Sequence, residues 1–499
     1  MRPDISSQET QGSLSNAVMS GAMWSAMARI ATQVLSIVNV AIVARVVAPQ
    51  AYGLMNMAQI AIGIIALLRD VGFGNAVVQR QTVNDRFLSS VFWVTVALGV
   101  LTSLLCYVLA PLVALFYREP ALVPMLQVLS SSFFLTNITT VHVAVLIRGM
   151  NFRTTALIDL AGVVTGQIAA ISFALHGGGV WSLVAASLTS AATSTLALFI
   201  FTPWRPRWLF SLDDIKSVSK FGLNLSGFNI VNFFARNADN ALIGRYLGGT
   251  ALGYYEFAYQ IMLYPVQGIA QLLGRVLFPA FAKMQGDNVR LRAAYLRSCN
   301  AIAFLCFPIM SGVALLSKQL VELWLGPQWM PAATLVTILA PVGIIQCLTT
   351  TTGQIYMATG RTDTMLRTGF WISLTILVSF VIGIRWGALG VAIAYAIAIL
   401  IITVPCFVIP FRLIGLRFMD LIVSLKPIMF ATLVMSVVVM VALRVMQSWT
   451  TSAIYTTIVC SSLGAMTYFG TAFLLKAPVI ADLWQMIRAR QTALATNAA

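Results

Sequence analysis

The sequence predicts an all-α polytopic membrane protein with fourteen transmembrane helices, arranged as two parallel-repeat six-helix lobes plus two C-terminal helices. Three observations predict this class: an apolar composition, a series of apolar runs of spanning length, and an uneven distribution of basic residues. Of the 499 residues, 59% are hydrophobic and 9% are charged, and the mean hydropathy is +0.89. Soluble proteins carry about 45–50% apolar and about 25% charged residues. A soluble enzyme is therefore excluded, and the apolar surface is expected to face lipid.

The apolar runs define the predicted spans. A hydrocarbon core of about 30 Å requires about 20 apolar residues per helix, and fourteen runs between polar, glycine or proline breaks meet this requirement. They lie near residues 20–46, 52–69, 88–116, 121–147, 155–176, 179–202, 219–247, 252–278, 294–317, 331–358, 365–384, 386–411, 421–444 and 451–475. The polar first twenty residues lack the pattern of a signal peptide, so removal of an N-terminal segment is not expected.

The basic residues predict the orientation of these spans. The chain carries 31 Lys and Arg against 15 Asp and Glu, a net charge of +16. With the N-terminus in the cytoplasm, 23 basic residues fall on inner segments and six on outer ones, while Arg29 and Arg236 fall inside spans. This asymmetry follows the positive-inside rule. It explains the charge by membrane topology without a nucleic-acid partner, and it predicts that both termini lie in the cytoplasm.

An internal repeat predicts the two lobes. Residues 41–58 align without gaps on residues 241–258, at an offset of 200. Identical pairs are Ala41/Ala241, Arg45/Arg245, Ala51/Ala251, Gly53/Gly253 and Ala58/Ala258. Six spans separate the two copies, and an even number gives parallel repeats around an axis along the membrane normal. The predicted domains are an N-lobe at 1–218, a C-lobe at 219–412, and two helices with a cytoplasmic tail at 413–499, with the substrate path between the lobes.

Polar residues gather on one face of the first helix of each lobe. At about 100° per residue, one narrow face of the first span carries Ser25, Arg29, Thr32, Gln33, Ser36 and Asn39. The corresponding face of the seventh span carries Asn229, Asn232, Arg236, Asp239 and Asn240. Polar stripes that face lipid are costly, so both stripes predict a hydrated cavity. The candidate substrate-binding residues are Arg29, Gln33, Asn39, Asn229, Asn232, Arg236 and Asn240, and the candidate coupling-ion residues are Asp239, Glu256 and Asp159.

Structural alternatives remain open for these charges. Arg236 and Asp239 are three residues apart on one helix and could neutralise each other. Arg29 lies about 15 Å from its helix end at the helical rise, without an acidic residue within one turn, so it is either an anion contact or a cation paired with a carbonyl or with Asp239. For Asp159 and Glu256 the alternative is local pairing with a neighbouring side chain, which for Asp159 is Arg153.

The cysteine and histidine side chains are assigned structural roles. The six cysteines show no CxxC spacing and are interpreted as packing thiols. His142 and His176 are isolated and are interpreted as packed or interfacial residues. The sequence contains no GxxxxGK[ST] and no HExxH, so neither a nucleotide site nor a zinc site is predicted. We therefore predict a protein that is not an enzyme and that carries no cofactor or metal.

Four segments carry a specific resemblance to a known family. They are GAMWSAMARIATQVLSIVNVAIVARVVAPQAYGLMNMA, RDVGFGNAVVQR, FGLNLSGFNIVNFFARNADNALIGRYLGGTALGYYEFAYQIMLYPVQ and GRVLFPAFAKMQGDNVRLR. The chain resembles the Wzx-type polysaccharide exporters, the lipid-linked oligosaccharide flippases of the multidrug/oligosaccharidyl-lipid/polysaccharide exporter superfamily, over residues 15–420. The resemblance implies alternating-access transport of an undecaprenyl-diphosphate-linked repeat unit across the bacterial inner membrane, for exopolysaccharide, capsule or O-antigen-type synthesis. It also implies work alongside a polysaccharide polymerase and export machinery.

Two other functions compete with this one. A cation-coupled multidrug exporter of the same superfamily would share both lobes, but twelve helices and an acidic cavity would be expected. A membrane glycosyltransferase ranks lower, since the predicted outer loops contain no long soluble segment.

Overall fold

The computed structural model describes residues 5–69, 73–80, 83–270, 281, 284, 286–449 and 452–480. Every regular element in these ranges is helical. The helices of the first half are α1 (Ile5–Val46), α2 (Pro49–Arg69), α3 (Phe73–Gln79), α4 (Asp85–Tyr117), α5 (Leu122–Leu129), α6 (Ser131–Arg148), α7 (Phe152–Leu175), α8 (Val180–Phe201) and α9 (Leu212–Pro265). Those of the second half are α10 (Asn288–Leu315), α11 (Ser317–Trp324), α12 (Met330–Thr349), α13 (Thr352–Ala358), α14 (Thr362–Gly383), α15 (Gly387–Ile414), α16 (Phe418–Trp449) and α17 (Ala453–Leu474).

The helical class predicted from the sequence is confirmed. Eleven helical segments within the described ranges are long and apolar enough to cross a membrane. One of them, Thr362–Ile414, contains the two helices α14 and α15, which are separated by a 3₁₀ turn at Ile384–Trp386. The protein is therefore a multi-pass helical membrane protein. The total of fourteen spans stays a prediction, because the eleven were found among the described residues alone.

The chain forms two compact units, residues 1–253 and 254–499. In the first unit α7 and α8 pack as a hairpin, α1 packs on α7, and α4 packs on α2, α5 and α6. In the second unit α10 packs on α12, α16 and α17. The buried faces of α16 and α17 join its main apolar cluster through Ile428, Met435 and Tyr468. The two C-terminal helices are thus part of the packed interior of their unit, while the lobe boundaries at 218 and 412 stay predictions.

Local signals in the sequence set the start and end of α4. The Asn84 side chain accepts a hydrogen bond of 2.8 Å from the backbone N–H of Phe87 and so caps the first turn. Asp85 adds a negative charge at the positive end of the helix dipole. The helix ends at Arg118, which adopts a left-handed conformation (φ 58°). The N-terminal end of α4, capped by Asn84, also holds the connection between α8 and α9.

Small residues allow α7 and α8 to approach closely. A Cβ atom on Gly166 would lie 2.7 Å from the Ala186 carbonyl oxygen and 3.0 Å from the Ser190 Cβ. Nearby, the Thr165 and Thr193 hydroxyl groups lie 2.9 Å apart and hydrogen bond between the two helices. In a bilayer, apolar burial between helices contributes little, so helix association depends on close packing through small residues and on hydrogen bonds between helices.

We expect Gly166→Val to lower the thermal stability of the purified protein. The added methyl groups overlap the α8 backbone, and such overpacking costs about 1–3 kcal/mol. The measurement is the apparent melting temperature in detergent, compared with Gly369→Val, since a Cβ atom on Gly369 would have no neighbour within 4 Å. Equal melting temperatures for the two variants would show that the α7–α8 contact tolerates separation.

Candidate functional site

The first polar stripe lies on the side of α1 away from its exposed apolar side chains. Exposed aliphatic residues recur every four positions, at Ile30, Val34, Val38, Ile42 and Val46. The middle of this row, Val38, lies about 180° around the helix from Arg29. Because the row has the composition of a lipid-facing surface, the guanidinium group of Arg29 is directed away from the side of α1 best suited to acyl chains.

The stripe borders the face of α1 that packs on α7. Ser36 shares the direction of Arg29, and the side-chain amide of Gln167 on α7 lies within hydrogen-bonding distance of the Leu35 carbonyl oxygen and the Ser36 backbone N–H. Arg29 and Gln33 are exposed and Asn39 is half-buried. Among the described side chains, no carboxylate forms an ion pair with Arg29. The first helix therefore presents an exposed cation and an exposed amide at the edge of a helix–helix contact.

The second stripe lies on α9 and passes from exposed to buried along the helix. Arg236 is exposed, whereas Asp239 is 1% exposed and its carboxylate accepts a 2.8 Å hydrogen bond from the Asn240 backbone N–H. One turn further on, a Cβ atom on Gly244 would lie 2.9 Å from the Tyr117 ring. The helix that carries Arg236 thus continues into a packed contact with α4 inside the first unit. The side chains of Asn229 and Asn232 lie outside the described residues.

The remaining candidate acids have separate surroundings. Glu256 is half-buried and accepts a 2.7 Å hydrogen bond from the Gln260 amide. Asp159 is exposed on α7, and it forms no ion pair with the side chains that the structure describes. The guanidinium carbon of Arg153, its expected partner, lies 4.8 Å from the Trp24 ring centroid instead. A ring face attracts a cation, so Arg153 connects α7 to α1.

The repeated segments contact each other through equivalent positions. A Cβ atom on Gly53 would overlap the Gly249 carbonyl oxygen and lie 2.9 Å from its Cα. A Cβ atom on Gly253 would overlap the Pro49 carbonyl oxygen and lie 2.9 Å from its carbonyl carbon. Gly53 and Gly253 are equivalent at the offset of 200, and so are Pro49 and Gly249. We call this reciprocal contact of Pro49, Gly53, Gly249 and Gly253 the glycine clasp.

A break in α9 places the second half of the glycine clasp. Gly248 adopts φ 81° and ψ 178°, a conformation that interrupts the helical backbone and that L side chains rarely adopt. The chain then resumes its helix with Gly249 and Gly253 directed at the start of α2. The sequence comparison paired the two glycines as repeat equivalents. Their mutual contact required the three-dimensional fold.

One polar side chain that contacts α1 lies outside the predicted site, and the two histidines lie in different surroundings. Gln167 was not among the predicted site residues, although a glutamine within span 155–176 carries the signal used for Gln33. His142 is fully buried, with its ring centroid 4.2 Å from that of Phe199 and 5.4 Å from that of Trp204. His176 is exposed at the end of α7, with Nδ1 2.7 Å from the Ser172 carbonyl oxygen.

The helical fold defines a multi-pass membrane protein. Among solved structures, the lipid II flippase MurJ in an inward closed conformation matches with a TM-score of 0.73 and 17% identity, over 92% of this chain and 100% of that chain. At this identity the likeness shows the fold alone.

The sequence comparisons identify the family. Residues 42–334 match the model of the family described as polysaccharide biosynthesis protein, and the chain belongs to this family. The succinoglycan biosynthesis transport protein ExoT of Rhizobium meliloti (strain 1021) is 27% identical over 474 residues, which cover 94% of this chain and 95% of ExoT. The lipopolysaccharide biosynthesis protein WzxC of Escherichia coli (strain K12) is 26% identical over 417 residues, which cover 83% of this chain and 85% of WzxC. The family predicted from the sequence is confirmed.

Proposed function

We propose that this protein translocates an undecaprenyl-diphosphate-linked oligosaccharide repeat unit across the bacterial inner membrane, for the synthesis of an exopolysaccharide, capsule or O-antigen-type polymer. The observation that carries the proposal is the exposed Arg29 on the side of α1 opposite its exposed apolar row, in a member of a polysaccharide biosynthesis family. Relatives named for succinoglycan transport and lipopolysaccharide biosynthesis support the substrate class.

The chemistry of such a substrate matches the polar stripes. A diphosphate and several sugars cross hydrocarbon only when a hydrated path replaces their water contacts. Guanidinium groups such as those of Arg29 and Arg236 form strong charge-assisted hydrogen bonds with phosphate oxygens. The amides of Gln33, Asn39 and Asn240 are suited to sugar hydroxyl groups. The apolar row on the opposite side of α1 leaves the polyprenyl chain in lipid.

The proposed transport cycle is alternating access. Parallel repeats that surround a central path expose it first to one side of the membrane and then to the other. The glycine clasp supports a cycle in which the two repeated segments close the path at its predicted outer end. Only residues without a Cβ atom permit the close backbone approach of these segments. Asp239, Glu256 or Asp159 would take the coupling ion. A polymerase and export machinery would act on the delivered substrate.

Deletion of the gene tests the proposed function. We expect surface polymer to disappear and lipid-linked precursor to accumulate on the cytoplasmic side of the membrane, with both effects reversed by the wild-type gene. Normal surface polymer without precursor accumulation, in a host that has no second exporter, would refute the assignment. Drug-efflux and sugar-transfer assays on the same strains separate the proposal from a multidrug exporter and from a membrane glycosyltransferase.

A further inference from the structure

A short non-helical segment between α8 and α9 is fixed to the capped end of α4. We call residues 202–211 the strap. The backbone N–H groups of Arg207 and Ser211 donate hydrogen bonds of 3.1 and 2.9 Å to the hydroxyl groups of Ser89 and Ser90. The Trp93 indole N–H donates a 2.9 Å hydrogen bond to the Arg207 carbonyl oxygen. Since both serines are fully buried in α4, these bonds determine the position and orientation of the strap.

The fixed strap turns its largest apolar side chains outward. Trp208 is 88% exposed, with one ring face stacked on Trp93 at a centroid distance of 4.2 Å. Phe210 is 52% exposed, and Leu209 and the adjoining first residue of α9, Leu212, are also exposed. Four consecutive or near-consecutive exposed apolar residues contribute little to the packing of the unit itself. Such a row on a rigid backbone marks a surface for an apolar partner.

Cations surround this apolar row. Arg205, Arg207 and Arg86 are exposed. Arg207 forms a 3.0 Å ion pair with Asp85, and Arg205 donates a 2.9 Å hydrogen bond to the Trp204 carbonyl oxygen. Over residues 202–220 the sequence places four basic residues against Asp213 and Asp214. The positive-inside assignment puts this segment at the cytoplasmic surface of the membrane, where the leaflet carries negative charge.

We propose that the strap is a binding surface for anionic phospholipid headgroups. Trp208, Phe210 and Leu212 enter the boundary between headgroups and acyl chains, a location that suits tryptophan and other amphipathic or apolar side chains. Arg205, Arg207 and Arg86 contact the lipid phosphates. Because the strap is bonded to α4 and leads directly into α9, bound lipid fixes the connection between the two predicted lobes to the membrane surface.

Photocrosslinking of the full-length protein in vesicles tests this inference. The protein is reconstituted with photoactivatable phosphatidylglycerol or with phosphatidylcholine that carries the same chains, and crosslinked peptides are mapped by mass spectrometry. We expect peptides that cover 202–212 to crosslink to both lipids, with enrichment for phosphatidylglycerol. Each Arg→Gln change at Arg205 or Arg86 should reduce that enrichment by up to about fivefold, the effect of one basic residue near an anionic surface.

A second variant and a matched control separate the apolar and charged contributions. The double variant Trp208→Ser, Phe210→Ser should lower crosslinking to both lipids. The matched control is Arg385→Gln, Trp386→Ser, an exposed arginine–tryptophan pair of α14–α15, which should leave strap crosslinking unchanged. Equal crosslinking to the two lipids in the wild type, or no strap crosslinks at all, would overturn the inference and leave the surface to a protein partner.

Discussion

We expect Gly53→Val to reduce polymer export by about 5- to 150-fold, and Gly253→Val to do the same. Each glycine lacks the Cβ atom that would overlap the backbone of the other repeated segment. The overlapping atoms are a carbonyl oxygen and its neighbours, which cannot move aside as the end of a flexible side chain can. A cost of about 1–3 kcal/mol for overpacking shifts a conformational equilibrium by about 5- to 150-fold. Export measured in the complemented deletion strain, at equal protein abundance in the membrane, gives the result.

Gly53 and Gly253 take part in one shared contact, and this predicts the effect of the double variant. Either substitution already breaks the contact, so the double variant should lose little more than each single variant, as expected for residues that share one interaction. Gly312→Val is the control, since a Cβ atom on this glycine of α10 would have no neighbour within 4 Å. Wild-type export from both clasp variants would show that the close approach is not needed in the transport cycle.

The second large effect is expected at Arg29. Removal of the charge by Arg29→Ala should reduce export by about 10- to 100-fold, because a hydrogen bond to a charged group contributes about 1.5–3 kcal/mol. Arg29→Lys should keep a large part of the activity, since the positive charge remains, although the two-pronged geometry of the guanidinium is lost. Arg236→Ala should also lower export. The assay is polymer at the cell surface at matched membrane abundance.

A matched arginine separates a local role from a general loss of charge. Arg367→Ala removes an exposed cation of α14 and should leave export unchanged. If Arg29→Ala, Arg29→Lys and Arg236→Ala all exported polymer at the wild-type level, the cationic path would lose its support. If Arg29→Lys failed as completely as Arg29→Ala while the protein stayed monodisperse, the guanidinium geometry would be the essential feature.

Much of this fold could be predicted because a bilayer leaves few options. Backbone N–H and C=O groups find no water in hydrocarbon, so a chain with 59% hydrophobic residues must satisfy them within helices. Apolar runs of spanning length therefore predicted the helices. The repeat of 41–58 at 241–258 and the polar residues around Arg29 were visible as periodic patterns, and the family followed from the quoted segments.

Contacts between distant segments could not be predicted in this way. A helical wheel places Arg29, Ser36 and Val38 around α1, but only the packing of α7 decides which side is covered. The same limitation applies to Arg153, whose expected partner Asp159 lay close in sequence while its actual contact, Trp24, lies on another helix. Hydropathy placed the strap in the connection between the predicted spans 179–202 and 219–247. It gave no indication that the hydroxyl groups of Ser89 and Ser90 hold the strap.

The helical membrane class, the repeat and the family of this protein follow from the amino-acid sequence alone, because those properties depend on hydropathy and residue patterns along the chain. The packed fold was needed to establish that Gly53 and Gly253 face each other's segments, that Asp239 is buried, and that Trp208 points outward. These properties depend on which surfaces meet after the helices pack. Helix association in lipid is governed by close steric fit and by a few polar contacts between residues far apart in sequence.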